Sequence, residues 1–277
     1  MNIDEQLSEQ SCRKPNQQAW YRPIFSPEHG VYVMLLISFL TGTAAAQQWN
    51  WATTLALICA FCGFQAEHPW ILQIKQRKSF KPRFWVWGGF YSAIAGAIAF
   101  YLYWRQDNLL SPLLWIYLGA IAAVIIDGIS VFYREQKSII NELITFAAIC
   151  LSAPFAYVVT TGTISTTVLG LWLLNSLFFS SAIFTVKFRK DKSHAVTPSL
   201  IYHAIASLLV AGLWLIGWLS LITAVAFSVV LIKFGIILWQ RDWYCTTKIQ
   251  FVAMLETGTA LLFLFIAAVS LLPAHLS

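Results

Sequence analysis

The residues of this chain that could do chemistry are acids and histidines standing beside or inside long apolar runs: Glu28-His29, Glu67-His68, Asp127, Glu142, His203 and Glu256. Arg134 and Lys233 are the cations nearest to them in kind. A carboxylate or imidazole so placed can accept a proton from a bound hydroxyl or amine, or hand one along a relay. A guanidinium such as Arg134 can hold a phosphate or carboxylate with two parallel hydrogen bonds. Each such group is expensive inside an apolar segment, and that expense makes it a candidate for function.

The elements that must position these groups follow from composition. Of the 277 residues, 58% are hydrophobic and only 11% are charged, against roughly 25% charged in a soluble domain. Too few charges remain to cover a soluble surface. Apolar stretches succeed one another at roughly 29–46, 49–67, 84–104, 113–133, 142–161, 165–186, 199–217, 219–240 and 250–272, each long enough to cross a hydrocarbon core of about 30 Å. The fold class is therefore all-α, a polytopic bundle of about nine transmembrane helices. Residues 1–25 are polar and read as a flexible arm with no apolar central run of a signal peptide. Residues 26–277 read as a single transmembrane domain.

Orientation follows from the basic residues. All but Arg105 and Lys233 of the 18 lysines and arginines fall in the arm or in alternate loops, which places those loops and the N-terminus on the cytoplasmic side and the C-terminus outside. Tryptophans at both sets of span ends fit interfacial belts. The net charge of +6 is thus a topology signal and an attraction to anionic lipid. Nucleic-acid binding is not expected, since no soluble basic surface interleaved with aromatics is present.

Distance from the charged loops gives depth at about 1.5 Å per residue. Asp127 precedes Arg134 by seven positions and lies about 10 Å inward. Lys233 and Glu256, eight positions from Arg241 and Lys248, lie about 12 Å inward. Glu28, His29, Glu67, His68 and Glu142 fall near the boundary, with His203 a little deeper. All belong to the cytoplasmic half, which points to an intramembrane polar cavity open on that side with Asp127, Lys233 and Glu256 as its floor.

Structural alternatives stand beside each of these readings. Ser26 can cap the first span, with Pro27 at its first helical position and Glu28 near the positive helix end. Glu67-His68-Pro69 can be a helix end stopped by proline. Asp127 and Lys233 can form a buried ion pair without chemistry. Arg134-Glu135 can be boundary charge, Glu142 a first-turn acid, and His203 a core histidine. The two glutamate–histidine pairs could bind a metal if the first two helix ends meet, but no metal is assigned. Cys59-x-x-Cys62 has redox or metal spacing without a second pair, and the apolar setting of Cys59, Cys62 and Cys150 favours packing. No nucleophile elbow, phosphate-binding glycine loop or zinc-protease pattern occurs. No catalytic residue or cofactor is assigned, and enzyme activity is left open.

Pro27-Glu28-His29-Gly30-Val31-Tyr32 before an apolar span resembles the opening of the YwiC-like family of bacterial membrane proteins. Tyr133-Arg134, Asn141-Glu142-Leu143 and Tyr202-His203 are compatible with it. The resemblance implies an integral membrane protein and carries no catalytic residues. Nine helices with an inner N-terminus are also distantly similar to UbiA-type prenyltransferases, which hold magnesium and a prenyl diphosphate on aspartate-rich motifs. The chain departs at both motif positions, with Glu67-His68 at span two and Asp191 the only acid after span six, so hard oxygen ligands for magnesium are few.

Three functions remain open: binding or modifying a lipid or isoprenoid-type ligand, proton-coupled transport through Asp127, Lys233 and Glu256, or a non-catalytic role in a membrane assembly. The expected location is a bacterial-type cytoplasmic or thylakoid-like membrane. The lipid reading requires most of these groups to face one cavity, and it fails if Glu28, His29, Asp127 and Glu256 point to different surfaces.

Overall fold

The computed structural model describes residues 21–77, 79–106, 110–190 and 196–272. The expected arm up to residue 20 lies outside the described residues, as do Lys78, Asp107, Asn108, Asp191 and Lys192. The described residues form helices and no strands: α1 His29–Ala46, α2 Trp51–Lys75, α3 Pro82–Trp104, α4 Pro112–Phe132, α5 Ile139–Cys150, α6 Ser152–Thr161, α7 Thr166–Lys190, α8 Thr197–Leu215, α9 Leu221–Val225, α10 Ser228–Trp239, α11 Arg241–Thr246 and α12 Ile249–Leu271. Counting α5–α6 and α9–α10 as one segment each, nine segments among the described residues are long and apolar enough to cross a membrane. A chain in lipid must satisfy its backbone internally, and helices do so within each segment. The protein is a multi-pass integral membrane protein.

Two spans sit at the centre. Half of the α1 window and 56% of the α7 window are buried, against 17–22% for α3, α4, α8 and α12. One core cluster gathers α1, α7, α8, α10 and α12 around Met34, Phe178, Val210, Val230 and Phe263. Another gathers α1, α2, α4 and α6 around Phe39, Ala56, Leu113 and Phe155. Between the central helices, the Asn175 side chain donates to Thr41 at 2.9 Å and to the Leu171 carbonyl at 2.8 Å. That polar mid-span residue is a structural tie. Cys59 and Cys150 are buried in these clusters, and Cys62 and Cys245 are partly exposed; Cys59, Cys62 and Cys150 are free thiols.

Span five is broken where its sequence requires it. Pro154 lacks an N–H, and its ring excludes a regular carbonyl four residues earlier; α5 accordingly ends at Cys150 and α6 starts at Ser152. The break is joined to α1 by Ser152 Oγ donating to the Leu35 carbonyl at 3.1 Å. About two turns further along α1, a Cβ built on Gly42 would stand 2.0 Å from the Ala153 carbonyl oxygen, so only glycine permits this crossing. Span eight also breaks, between α9 and α10. Gly217, with φ +77°, makes the tight turn before it.

Two sequence expectations change. Span two does not stop before Pro69: α2 continues through that proline to Lys75. Neighbouring helices can re-satisfy the backbone groups a membrane-helix proline frees. Nor does Ser26 cap α1 with Pro27 as its first helical residue. His29 begins the helix, Glu28 occupies the cap position without a side-chain cap bond, and Ser26 is buried with its N–H donating to Gln65 Oε1 at 3.1 Å.

The lysine- and arginine-bearing loops meet at one end. Arg83 donates to the Arg22 and Pro23 carbonyls at 2.9 and 3.1 Å, and Lys187 donates to the Lys137 carbonyl at 3.1 Å. Arg189 donates to the Thr247 carbonyl. Tyr244, in the short α11 at this end, is fully buried beside Phe188, Ile237 and Val252, and burial pushes its phenol up to about 12. At the opposite end Gln47 donates to the Leu271 carbonyl at 2.8 Å and Thr53 bonds Thr160 at 2.8 Å. Trp49, Trp51, Trp104, Trp115, Trp85 and Trp239 are exposed near the two sets of helix ends, as interfacial indoles should be.

Gly42→Ala is expected to destabilise the protein by about 1–3 kcal/mol, because the added methyl meets backbone rather than a movable side chain. Gly30→Ala, whose Cβ meets nothing within 4 Å, serves as the control. Thermal unfolding in detergent measures both, and equal stability of the two variants would contradict the close crossing.

Candidate functional site

The continuation of α2 past Pro69 changes the depth of its acid. Glu67 precedes Lys75 by eight positions within one helix, which puts it about 12 Å from that lysine along the axis rather than at the boundary. Asp127 lies at similar depth on α4, five positions before the helix ends at Phe132. Glu28 comes from the segment leading into α1. Gln65 fixes that segment against α2, accepting from the Ser26 N–H and donating to the Tyr32 hydroxyl, which itself donates to the Ser26 carbonyl at 3.1 Å. Gln65 carries none of the charge that drew attention to its neighbours. Its burial inside an apolar span is the signal that could have identified it as a connector.

These elements enclose a chamber of about 540 Å³ at the basic end, lined by Glu28, Glu67, His68, Asp127, Asn141 and Glu142 together with Lys75, Lys137 and Lys187. The Glu67 carboxyl is in hydrogen-bonding contact with that of Asp127, and the Glu28 carboxyl is close enough to act on it electrostatically. Glu142 is paired with Lys187 at 2.7 Å. Among the described residues, Glu28, Glu67 and Asp127 form no ion pair. Asp127 is instead held by the Asn141 amide, which donates to its Oδ1 at 2.7 Å and also reaches the Gln136 carbonyl at 3.3 Å. Ser138 caps α5 by accepting from the Asn141 N–H at 3.3 Å. That cap sets Asn141 at the start of the helix, facing α4.

The inner wall of the chamber is shared with a second space. A groove of about 400 Å³ lies between α2, α3, α4 and the α5–α6 span, and Phe64, Glu67, Thr145 and Ile149 line both. The groove is otherwise almost wholly apolar, and small residues open it: Ala60 and Gly63 on α2, Ala95, Gly96 and Ala99 on α3, Ala120 and Ala123 on α4. Ile121 and Val124 on its wall are 56% and 46% exposed. Glu67 thus stands where a polar chamber meets an apolar groove.

Five of the ten sequence candidates line this chamber, Glu28 and Asp127 among them, short of the majority expected of a lipid cavity; the other five, His29 and Glu256 included, lie elsewhere. His29 is exposed at the first turn of α1 and is not part of the chamber wall. Arg134, exposed and in the left-handed backbone region at φ 66°, lines an adjacent pocket of about 490 Å³ with Lys75, Gln76, Arg77 and Ser79. His203, Lys233 and Glu256 belong to another part of the bundle, among α7, α8, α10 and α12. Lys233 Nζ, fully buried, binds Glu256 Oε2 at 2.8 Å and donates to Ser181 at 3.1 Å. The buried His203 ring stacks on Phe234 at 4.0 Å, and its Nδ1 meets the Ser199 carbonyl at 2.7 Å. A single cavity floored by Asp127, Lys233 and Glu256 is therefore not what the fold builds. Equal depth put these residues at one level, but α4 packs beside α5 and α10 beside α12, so the level is divided between two helix groups. The alternative ion pair between Asp127 and Lys233 is absent for the same reason. Nor does the meeting of the first two helix ends make a metal centre: no group of three or more His, Cys, Asp or Glu side chains among the described residues is placed to hold an ion.

A lone charge in a dry helix interface is costly, whereas a neutral pair in the same space is not. Lys233→Met should therefore destabilise by about 2–3 kcal/mol, and the Lys233→Met/Glu256→Leu double variant should recover most of it. Thermal unfolding of the two variants against wild type checks this, and a double variant less stable than the single would show the pair contributing net stability.

Comparison with the curated proteins gives no match. The family model described as YwiC-like protein matches residues 25–157, a stretch that opens just before Glu28, runs through α5 and ends inside α6. It includes Glu67, His68, Asp127, Asn141 and Glu142, and leaves Lys187 and the Lys233–Glu256 pair outside. Over residues 25–157 the chain is similar to the YwiC-like family, and the multi-pass architecture described above accommodates that stretch.

Proposed function

We propose that this protein binds a lipid or isoprenoid-type ligand from the membrane, its tail in the groove between α2, α3 and α4 and its head in the polar chamber. The observation that carries the reading is the continuity of the two spaces at Phe64, Glu67, Thr145 and Ile149. A ligand with an apolar chain and a polar end matches that junction, because each end then meets surface of its own kind. Carboxyls at the junction suit proton transfer to or from the head group. The basic loops around the chamber mouth support a cytoplasmic opening, with the N-terminus on that side.

A second reading, proton-coupled transport, is favoured by the fully buried Lys233 on Glu256, since ionisable pairs inside membrane bundles mark proton relays as well as structural ties. It no longer includes Asp127. A pH-dependent flux in vesicles that disappears in Glu256→Gln would establish it.

Filling the groove separates the lipid reading from a vacant packing defect. Added Cβ atoms at Gly63 and Gly96 meet nothing within 4 Å, so Gly63→Leu and Gly96→Leu have room to project into the space without distorting the helices. Mass spectrometry of lipids co-purified with the double variant should show a specific species reduced about tenfold from wild type, with unfolding temperature unchanged or raised. Wild-type levels in the filled variant would overturn the reading. For orientation, Thr163→Cys should be labelled from outside intact cells by an impermeant thiol reagent and Ser79→Cys should not; the reverse pattern would invert the topology.

A further inference from the structure

The chamber wall next to the groove carries a cluster of acceptors beside the Thr145 hydroxyl. Asn141 is 4% exposed, and its amide nitrogen is committed to the Asp127 carboxylate and the Gln136 carbonyl. That commitment fixes which end of the amide is which, because a carboxylate oxygen needs a donor. The Asn141 Oδ1 is then a buried acceptor with no partner among the described residues, in a residue that lines the chamber. An unmet buried acceptor is costly, and here it stands beside the two carboxyls of Glu67 and Asp127. The Glu67 and Asp127 carboxyls share one hydrogen in their mutual contact, and their remaining lone pairs and the Asn141 Oδ1 accept hydrogen from whatever occupies the junction.

They do not ask for net charge. Around the chamber Glu28, Glu67, Asp127 and Glu142 face Lys75, Lys137 and Lys187, which leaves a formal excess of one acid. Phosphate placed against Glu67 and Asp127 would meet like charge, with no cation paired to either acid among the described residues and no metal cluster to mediate. A prenyl diphosphate carries its phosphate directly next to the chain, at the place where these carboxyls stand. An alcohol or phenol carries a donor there instead.

Resting on the lipid reading above, we infer that the ligand is a long-chain alcohol or phenol without phosphate, whose hydroxyl donates to the acceptor set of Glu67, Asp127 and Asn141. In this arrangement Asn141 is a binding residue with two duties: its Nδ2 holds Asp127 and its Oδ1 accepts from the ligand.

Farnesol, farnesyl methyl ether and farnesyl diphosphate share one tail and differ in the donor and the charge. Binding of each to the full-length protein in nanodiscs, measured by displacement of a fluorescent farnesyl probe, should rank farnesol at least about tenfold tighter than the ether, because the ether leaves the acceptors unmet. The diphosphate should bind no better than the ether. Asn141→Leu should narrow the gap between alcohol and ether to within about threefold, and its retained binding of the ether reports that the groove is still folded. Asp127→Asn, which puts donors among the acceptors, should weaken farnesol while sparing the ether. An ether equal to the alcohol in wild type, or a preference for the diphosphate, overturns the inference and leaves the lipid reading standing. Failure of the fluorescent probe and of all three ligands to bind overturns both.

Discussion

The bundle depends on one close crossing. The backbone of α1 at Gly42 lies against the backbone of α6 at Ala153, with no room for a methyl group between them. In lipid there is little hydrophobic force between apolar helices, so approach of this kind, with its dispersion contacts and local hydrogen bonds, supplies much of the attraction. Ser152 bonding the Leu35 carbonyl and Ser38 lying 3.4 Å from the Cys150 sulfur act along the same seam. Because α6 is held to α1, the Pro154 break can redirect α5 away from it. α5 then reaches α4, which brings Asn141 to Asp127. The chamber is a downstream result of a contact some distance from it.

The same logic explains how the molecule distributes its polar groups. Those with a partner close in the bundle serve as ties: Asn175 to Thr41, Lys233 to Glu256, Gln65 to Ser26 and Tyr32. Buried Asp127 and half-buried Glu67 gather with no cation paired to them among the described residues, beside the exposed Glu28, and Glu67 also lines the groove that small residues keep open. Burying charge without pairing it is the more expensive arrangement. Its concentration at the mouth of an apolar groove is what separates this site from the structural pairs.

Much of the fold was legible in the sequence because the physics of a bilayer is one-dimensional along each segment. Length and hydropathy sufficed for nine spans, and basic loops for their alternation. Position along a helix, measured from the charged loop at its end, was legible only where the helix ends were right. Pro69 suggested a stop that the structure does not make, and Glu67 was consequently placed too near the surface. Lateral position was not legible, since nothing along the chain states which helices are neighbours. Asp127 and Lys233, at matching depth, looked like one floor and belong to two helix groups. Asn141 appeared only as a companion of Glu142, because an uncharged amide at a helix start is an ordinary feature until its neighbour is known to be Asp127.

Pro69 has a mechanical meaning as well. A proline inside a helix leaves the carbonyl four residues earlier, here that of Gln65, without its usual donor. Bending α2 at that point therefore breaks no backbone hydrogen bond of the ladder, and it is the compliant joint of an otherwise stiff rod. Glu67 and His68 sit on the joint itself, Gly63 and Ala60 on the groove side of it, and Lys75 on the chamber side. Any flexing there would change the angle between the walls of the two spaces, while the Gln65 side chain ties the N-terminal segment to the helix beside the joint.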